Sequence, residues 1–131
     1  MAQKEIEVIL MRQLASYLAM PVILVDAEGN LAYYNEPAEA LLGRRFDEVG
    51  EMPKEVWSTA FGQSEEDGSR IPPESVPLMV ALHEHQPVHR ILRITGLDGV
   101  SRRIEVTAFP LEGQGGRHLG AVSIFWGVEK Q

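Results

Sequence analysis

The chain has 131 residues, enough for one domain that buries about two thirds of its unfolded surface and too few for two. Its 19 acidic residues outnumber 12 Lys plus Arg, and the formal net charge of -7 repels the phosphates of nucleic acids and anionic lipids. It has no cysteine, which excludes disulfides and thiol nucleophiles, and no apolar run long enough to span a bilayer. We therefore expect a cytoplasmic protein without a cleaved leader.

The first predicted element is an amphipathic helix over residues 4–19, which Pro21 ends. Its apolar residues recur at helical steps, and Val8 and Ala15 widen the apolar surface beyond a single stripe. Such a helix either covers the sheet of its own domain or pairs with a copy of itself. The residues assigned to pairing are Ile6, Ile9, Leu10, Leu14 and Tyr17.

Residues 21–43 read PVILVDAEGNLAYYNEPAEALLG and predict a β-hairpin that leads into a helix. Asp26 can accept hydrogen bonds from the backbone amides that follow it. Gly29 and Asn30 tolerate the positive φ that closes a short hairpin. Local chemistry therefore predicts strand, turn and strand as one unit.

The helix after this hairpin carries its own start and stop signals. Asn35 is a favourable N-cap, Pro37 falls in the first turn, and Gly43 stands where a glycine ends a helix. An apolar strand, a D-x-x-G turn, a second strand ending in Tyr-Asn and the helix EPAEALLG together resemble the opening of a PAS domain. PAS domains are sensory modules of bacterial signalling proteins, and in that family a leading helix often joins a dimer interface.

The middle of the chain is predicted to be helical with one acidic loop. Short helical turns are expected over residues 44–62 and an exposed loop over 63–70, whose consecutive carboxylates point apart and do not suit a metal. A longer helix is predicted from the cap Ser75 to His85, followed by Pro87. The phrase DGSRIPPESVPLMVALHEHQPV resembles the central helix region of PAS domains in sensor kinases and related regulators.

Three strands complete the sequence, over residues 88–95, 102–109 and 119–128. Two strands, several helices and three strands predict an α+β fold. We expect a PAS-like five-stranded antiparallel sheet with helices on one face and an N-terminal flanking helix. The resemblance implies that the last strand lies between the first strand and the second hairpin. It also implies two parts, a helix over residues 1–20 and a sensory domain over residues 21–129.

The four histidines do not have the spacing of a metal site. His83 and His85 lie on different sides of a helix, and Pro87 separates them from the next histidine. Haem-binding PAS domains use a histidine nearer the start of this helix, where Glu74 and Ser75 stand, so no haem is expected. Covalent flavin chemistry needs the absent cysteine, whereas non-covalent flavin binding stays open.

A PAS fold can enclose a small cavity between its sheet and its helices, and tight core packing would use the same apolar residues. Ser123 is a polar residue within an apolar strand and is expected to face inward toward a ligand. The residues expected around the cavity are Trp57, Phe61, Met79, Leu82, Ile104, Val106, Ser123, Phe125 and Trp126.

The resemblance implies a sensory and dimerisation module without catalysis, which binds a small ligand or a partner protein and acts on an effector domain or partner. Where many PAS domains carry Asp-Ile-Thr after the last strand, this chain has Gly127-Val128-Glu129, so coupling through that triplet is not expected. One alternative is an isomerase or hydratase on a cone-shaped α+β fold, for which Tyr33, Tyr34 and Asp26 are the candidate groups. Another alternative is a structural interaction domain with a filled core.

Overall fold

A computed structural model of the protein describes residues 6–128. The helices are α1 (Ile6–Tyr17), α2 (Glu36–Leu42), α3 (Phe46–Val49), α4 (Lys54–Ala60) and α5 (Pro77–Glu84). The strands are β1 (Val22–Asp26), β2 (Leu31–Tyr34), β3 (Gly62–Ser64), β4 (Val88–Thr95), β5 (Ser101–Glu112) and β6 (His118–Gly127). Short 3-10 turns occupy Pro73–Ser75 and Gln114–Gly116.

The strands form an antiparallel sheet in the order β2-β1-β6-β5-β4-β3. Strand β6 pairs with β1 from Val22 opposite Ile124 to Asp26 opposite Gly120, and it pairs with β5 along its other edge. The chain therefore brings its last strand back between the first strand and the second hairpin, which confirms the expected α+β topology. The interior position of β6 explains why its sequence is rich in apolar residues.

The sheet has six strands, and the predicted number of five was wrong. Residues 63–70 were expected to form an exposed loop, but Gly62–Ser64 is a strand whose Gln63 lies opposite Ile94 of β4. Glycine, glutamine and serine show no alternating apolar pattern, so these residues form a strand because they pair with the edge of β4. The tip after it is a tight turn in which the Gly68 amide donates to the Glu65 carbonyl at 2.9 Å.

Helix α5 begins at Pro77, and its N-cap is Val76, one residue later than the predicted cap Ser75. Ser75 lies in the preceding 3-10 turn, and the N-cap residue Val76 has extended backbone angles of φ -69° and ψ 148°. A proline disfavours helical angles at the residue before it, because its ring clashes with the preceding backbone. Pro77 therefore fixes the first residue of the helix.

The first hairpin and helix α2 follow their local signals. The Asp26 carboxylate accepts hydrogen bonds from the amides of Glu28 and Asn30 at 3.0 and 2.9 Å. Gly29 has φ 88°, whereas Asn30 keeps a negative φ and instead accepts from the Lys54 amide at 3.0 Å. The predicted cap Asn35 accepts from the Ala38 amide, and the C-terminal Gly43 has the left-handed φ of 83°.

The turn between β4 and β5 closes the C-terminus of α2. The Leu97 amide donates to the Leu42 carbonyl at 2.7 Å, and the Arg102 guanidinium donates to the Leu41 carbonyl at 3.0 Å. A Cβ atom at Gly96 would lie 2.8 Å from the same Leu42 oxygen. These contacts satisfy carbonyl groups that a helix end leaves without partners.

Helices cover both faces of the sheet. Helices α2 to α5 pack on the face that carries Ile23, Ile104 and Phe125. Helix α1 packs on the opposite face, where Val8 and Ala15 join a second buried cluster with strands β1, β2 and β6. The described part of the chain thus has a main core and a smaller one under its first helix.

Candidate functional site

The main core contains a small cavity between the sheet and helices α4 and α5. Its volume is about 20 Å³, and the residues around it are Ile23, Trp57, Phe61, Gln63, Pro77, Leu78, Ile94, Ile104, Val106, Ser123 and Phe125. A water molecule needs roughly 10–15 Å³ of such space. The inner cavity, as we call it, therefore has room for about one water molecule and none for a cofactor.

Six of the nine residues expected around a cavity line the inner cavity. They are Trp57, Phe61, Ile104, Val106, Ser123 and Phe125. Ser123 is 5% exposed, and its side chain lines the inner cavity as expected from its place in an apolar strand.

The other three residues lie elsewhere. Trp126 was assigned to the wrong face, because successive strand residues point to opposite sides and Phe125 already faces the helices. Met79 and Leu82 pack beside the first hairpin, where a Cβ atom at Gly29 would lie 3.1 and 3.4 Å from them. Strand alternation in the sequence is the signal that would have separated Trp126 from its neighbour.

Sequence reasoning missed several residues of the inner cavity. Ile23 and Ile94 were missed because β1 is a continuous apolar run and β4 does not alternate cleanly, so neither sequence shows which residues face inward. Gln63 was missed because it belongs to the unpredicted strand β3. Gln63 and Ser123 are the two polar side chains of a lining that is otherwise apolar.

A larger groove lies outside the inner cavity, between α4, the Pro73–Ser75 turn and α5. Its volume is about 330 Å³, near the lower end of the range for small-molecule sites. We call it the outer groove, and it is lined by Lys54, Glu55, Trp57, Ser58, Pro73, Glu74, Met79 and His83.

Trp57 separates the two spaces, since it lines both of them. Its side chain is only 2% exposed, and its indole N–H donates to the Gly29 carbonyl at 2.8 Å. The hydrogen bond satisfies the one polar atom of the ring, which fixes the orientation of the indole against the first hairpin. The tryptophan thereby forms the floor of the outer groove and part of the wall of the inner cavity.

The histidines do not gather at one site, and the described residues hold no group of three or more potential metal ligands. His83 lines the outer groove, while His89 lies on the sheet with its ring nitrogens 2.8 Å from the Thr107 hydroxyl and 2.7 Å from the Glu105 carboxylate. His85 and His118 stack with their ring centres 3.8 Å apart.

Of the candidate groups for the enzyme alternative, Tyr33 and Tyr34 line one surface pocket, and Asp26 lies outside it. The Asp26 carboxylate is used within its own turn, and the Tyr34 hydroxyl donates to the Arg44 carbonyl at 2.8 Å. Burial first, and the nearby Glu39 carboxylate second, together raise the pKa of Tyr34 to about 12. Burial also raises the pKa of Tyr33, against the lowering effect of Arg12. Both tyrosines therefore stay protonated at neutral pH, which does not suit a general base.

Helix α1 is joined to the domain through Asn35, which is fully buried. The Asn35 amide group donates to the carbonyls of Ala15 and Met20 at 2.8 and 2.9 Å. Its carbonyl oxygen accepts from the amides of Val22 and Ala38 at 2.9 and 3.2 Å. A single side chain thus connects the end of α1, the start of β1 and the start of α2.

Two further contacts hold the same helix. The Arg117 guanidinium donates to the Glu7 carboxylate at 2.9 Å, which ties α1 to the loop between β5 and β6. The Arg12 guanidinium lies 4.7 Å from the centre of the Tyr33 ring, a cation–π arrangement. The residues predicted for pairing lie on the outer side and are exposed, with fractions of 67% for Ile6, 51% for Ile9, 56% for Leu10, 50% for Leu14 and 75% for Tyr17.

The sheet order, with helices over one face and a leading helix on the other, defines an α+β domain with the PAS architecture. The family model described as the PAS fold matches residues 16–130. The chain belongs to this family. No helix among residues 6–128 has the length and apolar content needed to cross a membrane.

Solved structures with the same fold share little sequence with this chain. The PAS domain of a protein from Colwellia psychrerythraea is 17% identical, with a TM-score of 0.64 over 92% of this chain and 97% of that one. The PAS domain of nitrogen regulation protein NR(II) from Vibrio parahaemolyticus is 18% identical, with a TM-score of 0.64 over 91% and 98%.

A third similar structure is the LOV protein of Rhodobacter sphaeroides. It is 12% identical and has a TM-score of 0.71 over 96% of this chain and 70% of that one. No curated protein matches the chain in sequence.

Proposed function

We propose that this PAS domain is a sensory and regulatory module that forms a homodimer through α1 and acts by non-covalent contacts without catalysis. The observation that carries the proposal is the two-sided character of α1. Its inner side is buried against the sheet at Val8 and Ala15, and its outer side presents several large apolar residues to solvent. Contiguous exposed apolar patches commonly mark protein–protein contacts.

The contacts of α1 explain why its outer side cannot be buried within the same chain. Asn35 and Arg117 hold the two ends of the helix, and Val8 and Ala15 fill the space beneath it. Rotating the helix to bury Leu10 or another outer residue would expose the inner ones and break these bonds. A second copy of the chain offers an identical surface, and closed twofold pairing is the commonest form of self-association.

The test measures molar mass by light scattering on the full chain. We expect twice the monomer mass of 14.6 kDa, and we expect the monomer mass after the double substitution Leu10→Glu and Leu14→Glu. Burying a carboxylate in an apolar interface is unfavourable, whereas the same residues at an exposed helix face cost the monomer little. Circular dichroism verifies that the variant is folded.

Val56 and Val100 provide the matched control. They are apolar residues with exposed fractions of 47% and 45%, on α4 and in the turn between β4 and β5. Changing both to Glu adds the same charge to exposed apolar sites away from α1, and the dimer mass should persist. A monomeric wild-type chain, or a dimer that survives the two changes in α1, would contradict the proposal.

The filled-core alternative has one specific observation in its favour. The inner cavity holds about one water molecule, so the interior leaves little room for a ligand without rearrangement. In this alternative the module responds to contacts with a partner protein rather than to a bound ligand. Native mass spectrometry with an absorbance scan separates the versions, because a retained small molecule supports sensing and a bare chain supports the filled core.

Support for a role without catalysis comes from the tyrosines and Asp26. The Asp26 carboxylate and the Tyr34 hydroxyl are bonded to nearby backbone groups, and the pKa values of both tyrosines are raised away from neutrality. A catalytic pair of a tyrosine and Asp26 would need both groups directed at a shared space, and Asp26 lies outside the pocket that the two tyrosines line.

A further inference from the structure

Helix α1 covers only part of the sheet face on which it lies, which we call the outer face. Successive strand residues point to opposite sides, so Ile91 and Trp126 lie on the outer face, because Leu92 and Phe125 belong to the main core. Both side chains are half-buried, and neither belongs to one of the two buried clusters. Ile124, two residues before Trp126, packs against the cluster under α1, so this apolar surface adjoins the helix.

The polar side chains between these residues are bonded to one another. Glu105 lies opposite both Ile91 and Trp126 in the strand register. Its carboxylate is 2.7 Å from one nitrogen of the His89 ring, and the other nitrogen is 2.8 Å from the Thr107 hydroxyl. Burying a polar group is costly where the group has no hydrogen-bond partner. A second surface can therefore cover this part of the outer face without leaving these polar groups unpaired.

The outer side of α1 has the chemistry to cover such a face. The exposed residues of the helix are five large apolar ones together with Gln13 and Ser16, and none of them is charged. The charged residues of α1, Glu7 and Arg12, are half-buried and contact other parts of the same chain. An uncharged helix side and an apolar sheet face can meet without burying an unpaired charge.

Pairing of the two α1 helices with each other alone buries too little surface for a stable dimer. A helix of 12 residues is about 18 Å long and about 10 Å wide, so its outer half covers roughly 300 Å². A stable protein interface buries about 800 Å² on each partner. If each helix lies on the sheet of the other copy, each copy also buries a similar area of its own outer face, which doubles the buried surface.

We propose that the two α1 helices of the homodimer form a layer between the two sheets. The inner side of each helix packs on its own sheet, and its outer side covers Ile91 and Trp126 on the sheet of the other copy. Each copy then supplies one helix and one sheet face, as twofold symmetry requires. This inference rests on the proposed homodimer and names the surface that the outer side of α1 contacts.

The experiment measures acrylamide quenching of tryptophan fluorescence in the full chain. The chain has two tryptophans, and Trp57 is only 2% exposed, so Trp126 supplies the quenchable emission. The variant Trp126→Phe records the emission of Trp57 alone, which is subtracted. We expect the quenching constant of Trp126 to be about threefold lower in the wild-type dimer than in the monomeric variant with Leu10→Glu and Leu14→Glu, because the centre of an interface excludes water.

A second measurement gives the effect of Trp126 on dimerisation. Trp126→Ala should raise the dissociation constant of the dimer by about thirtyfold or more, as is usual for truncation of a tryptophan at the centre of an interface. Trp126→Phe keeps an aromatic ring and should have a smaller effect. The control Val56→Ala shortens an exposed apolar residue of α4, on the opposite side of the sheet, and should leave the dissociation constant unchanged. Sedimentation velocity measures the constants, and circular dichroism verifies folding.

Two results would overturn the layer of helices. One is equal quenching of Trp126 in the wild-type dimer and in the α1 variant, and the other is an unchanged dissociation constant in Trp126→Ala. Light scattering on the same samples separates this inference from the proposed function. A wild-type dimer with an accessible Trp126 refutes only the layer, whereas a monomeric wild-type chain refutes the homodimer and the layer with it.

Discussion

Replacing Asn35 with Asp tests the junction between α1 and the sheet by changing one atom. The substitution keeps the shape of the side chain and its acceptor for the Val22 and Ala38 amides. It removes the two N–H donors and puts a carboxylate oxygen 2.8 to 2.9 Å from the carbonyl oxygens of Ala15 and Met20. A negative charge would then face two carbonyl acceptors, one at a buried contact and one at a partly buried contact.

The magnitude follows from these contacts. Each carbonyl that loses its donor while buried costs about 1–3 kcal/mol. The negative charge of the new carboxylate at the N-terminus of α2 is stabilised by roughly 0.3–1 kcal/mol through the helix dipole. We therefore expect Asn35→Asp to lower the free energy of unfolding by about 3 kcal/mol, a large change for a single substitution. Urea denaturation followed by circular dichroism measures it.

Asn30 is the matched control, because it is the other asparagine of the chain. Its side-chain oxygen accepts from the Lys54 amide, a role that an aspartate keeps. Asn30→Asp should change the free energy of unfolding by less than about 0.5 kcal/mol, as is usual for substitutions that break no buried contact. Equal effects of the two changes would refute the role assigned to the Asn35 donors.

The pH dependence of the Asn35→Asp variant gives an independent measure. Burial and the two carbonyl dipoles should raise the folded-state pKa of the new carboxyl above its unfolded value. The destabilisation is then complete above the folded-state pKa and shrinks as the pH falls toward the unfolded pKa, where the protonated carboxyl can donate one bond. If the loss of unfolding free energy in the variant relative to the wild type does not shrink in acid, the result would contradict this account.

Two further predictions concern alkaline stability and a close backbone contact. The pKa of Tyr34 is raised to about 12 in the folded chain. The contribution of Tyr34 to the free energy of unfolding is therefore fully present below the unfolded-state pKa near 10, and it falls by about 1.4 kcal/mol per pH unit between that pKa and the folded-state pKa. Tyr34→Phe removes that slope, and alkaline unfolding curves that are parallel in the two proteins would rule it out. Gly96→Ala pushes a Cβ atom to 2.8 Å from the Leu42 carbonyl oxygen and should cost about 1–3 kcal/mol in urea unfolding. Gly62→Ala has no atom within 4 Å of its new Cβ and should be nearly neutral, so equal losses in the two alanine variants would exclude the contact as the cause.

Local chemistry in the sequence determined the first hairpin and helix α2. Asp26, Gly43 and the capping oxygen of Asn35 act on backbone groups within a few residues, so these turn and cap roles do not depend on the rest of the fold. The start of α5 is also a local matter, since Pro77 alone excludes the earlier start that had been assigned to Ser75.

Only the tertiary structure decided the strand at Gly62–Ser64 and the limits of the candidate sites. That strand exists because β4 offers an unpaired edge, which no pattern within the three residues reveals. The Trp57 ring divides the interior from the outer groove through a bond to Gly29, a residue distant in the sequence. The amphipathic pattern of α1 showed two apolar sides, but the packing of Val8 and Ala15 on the sheet decided which side remains exposed, because burial depends on contacts between distant segments.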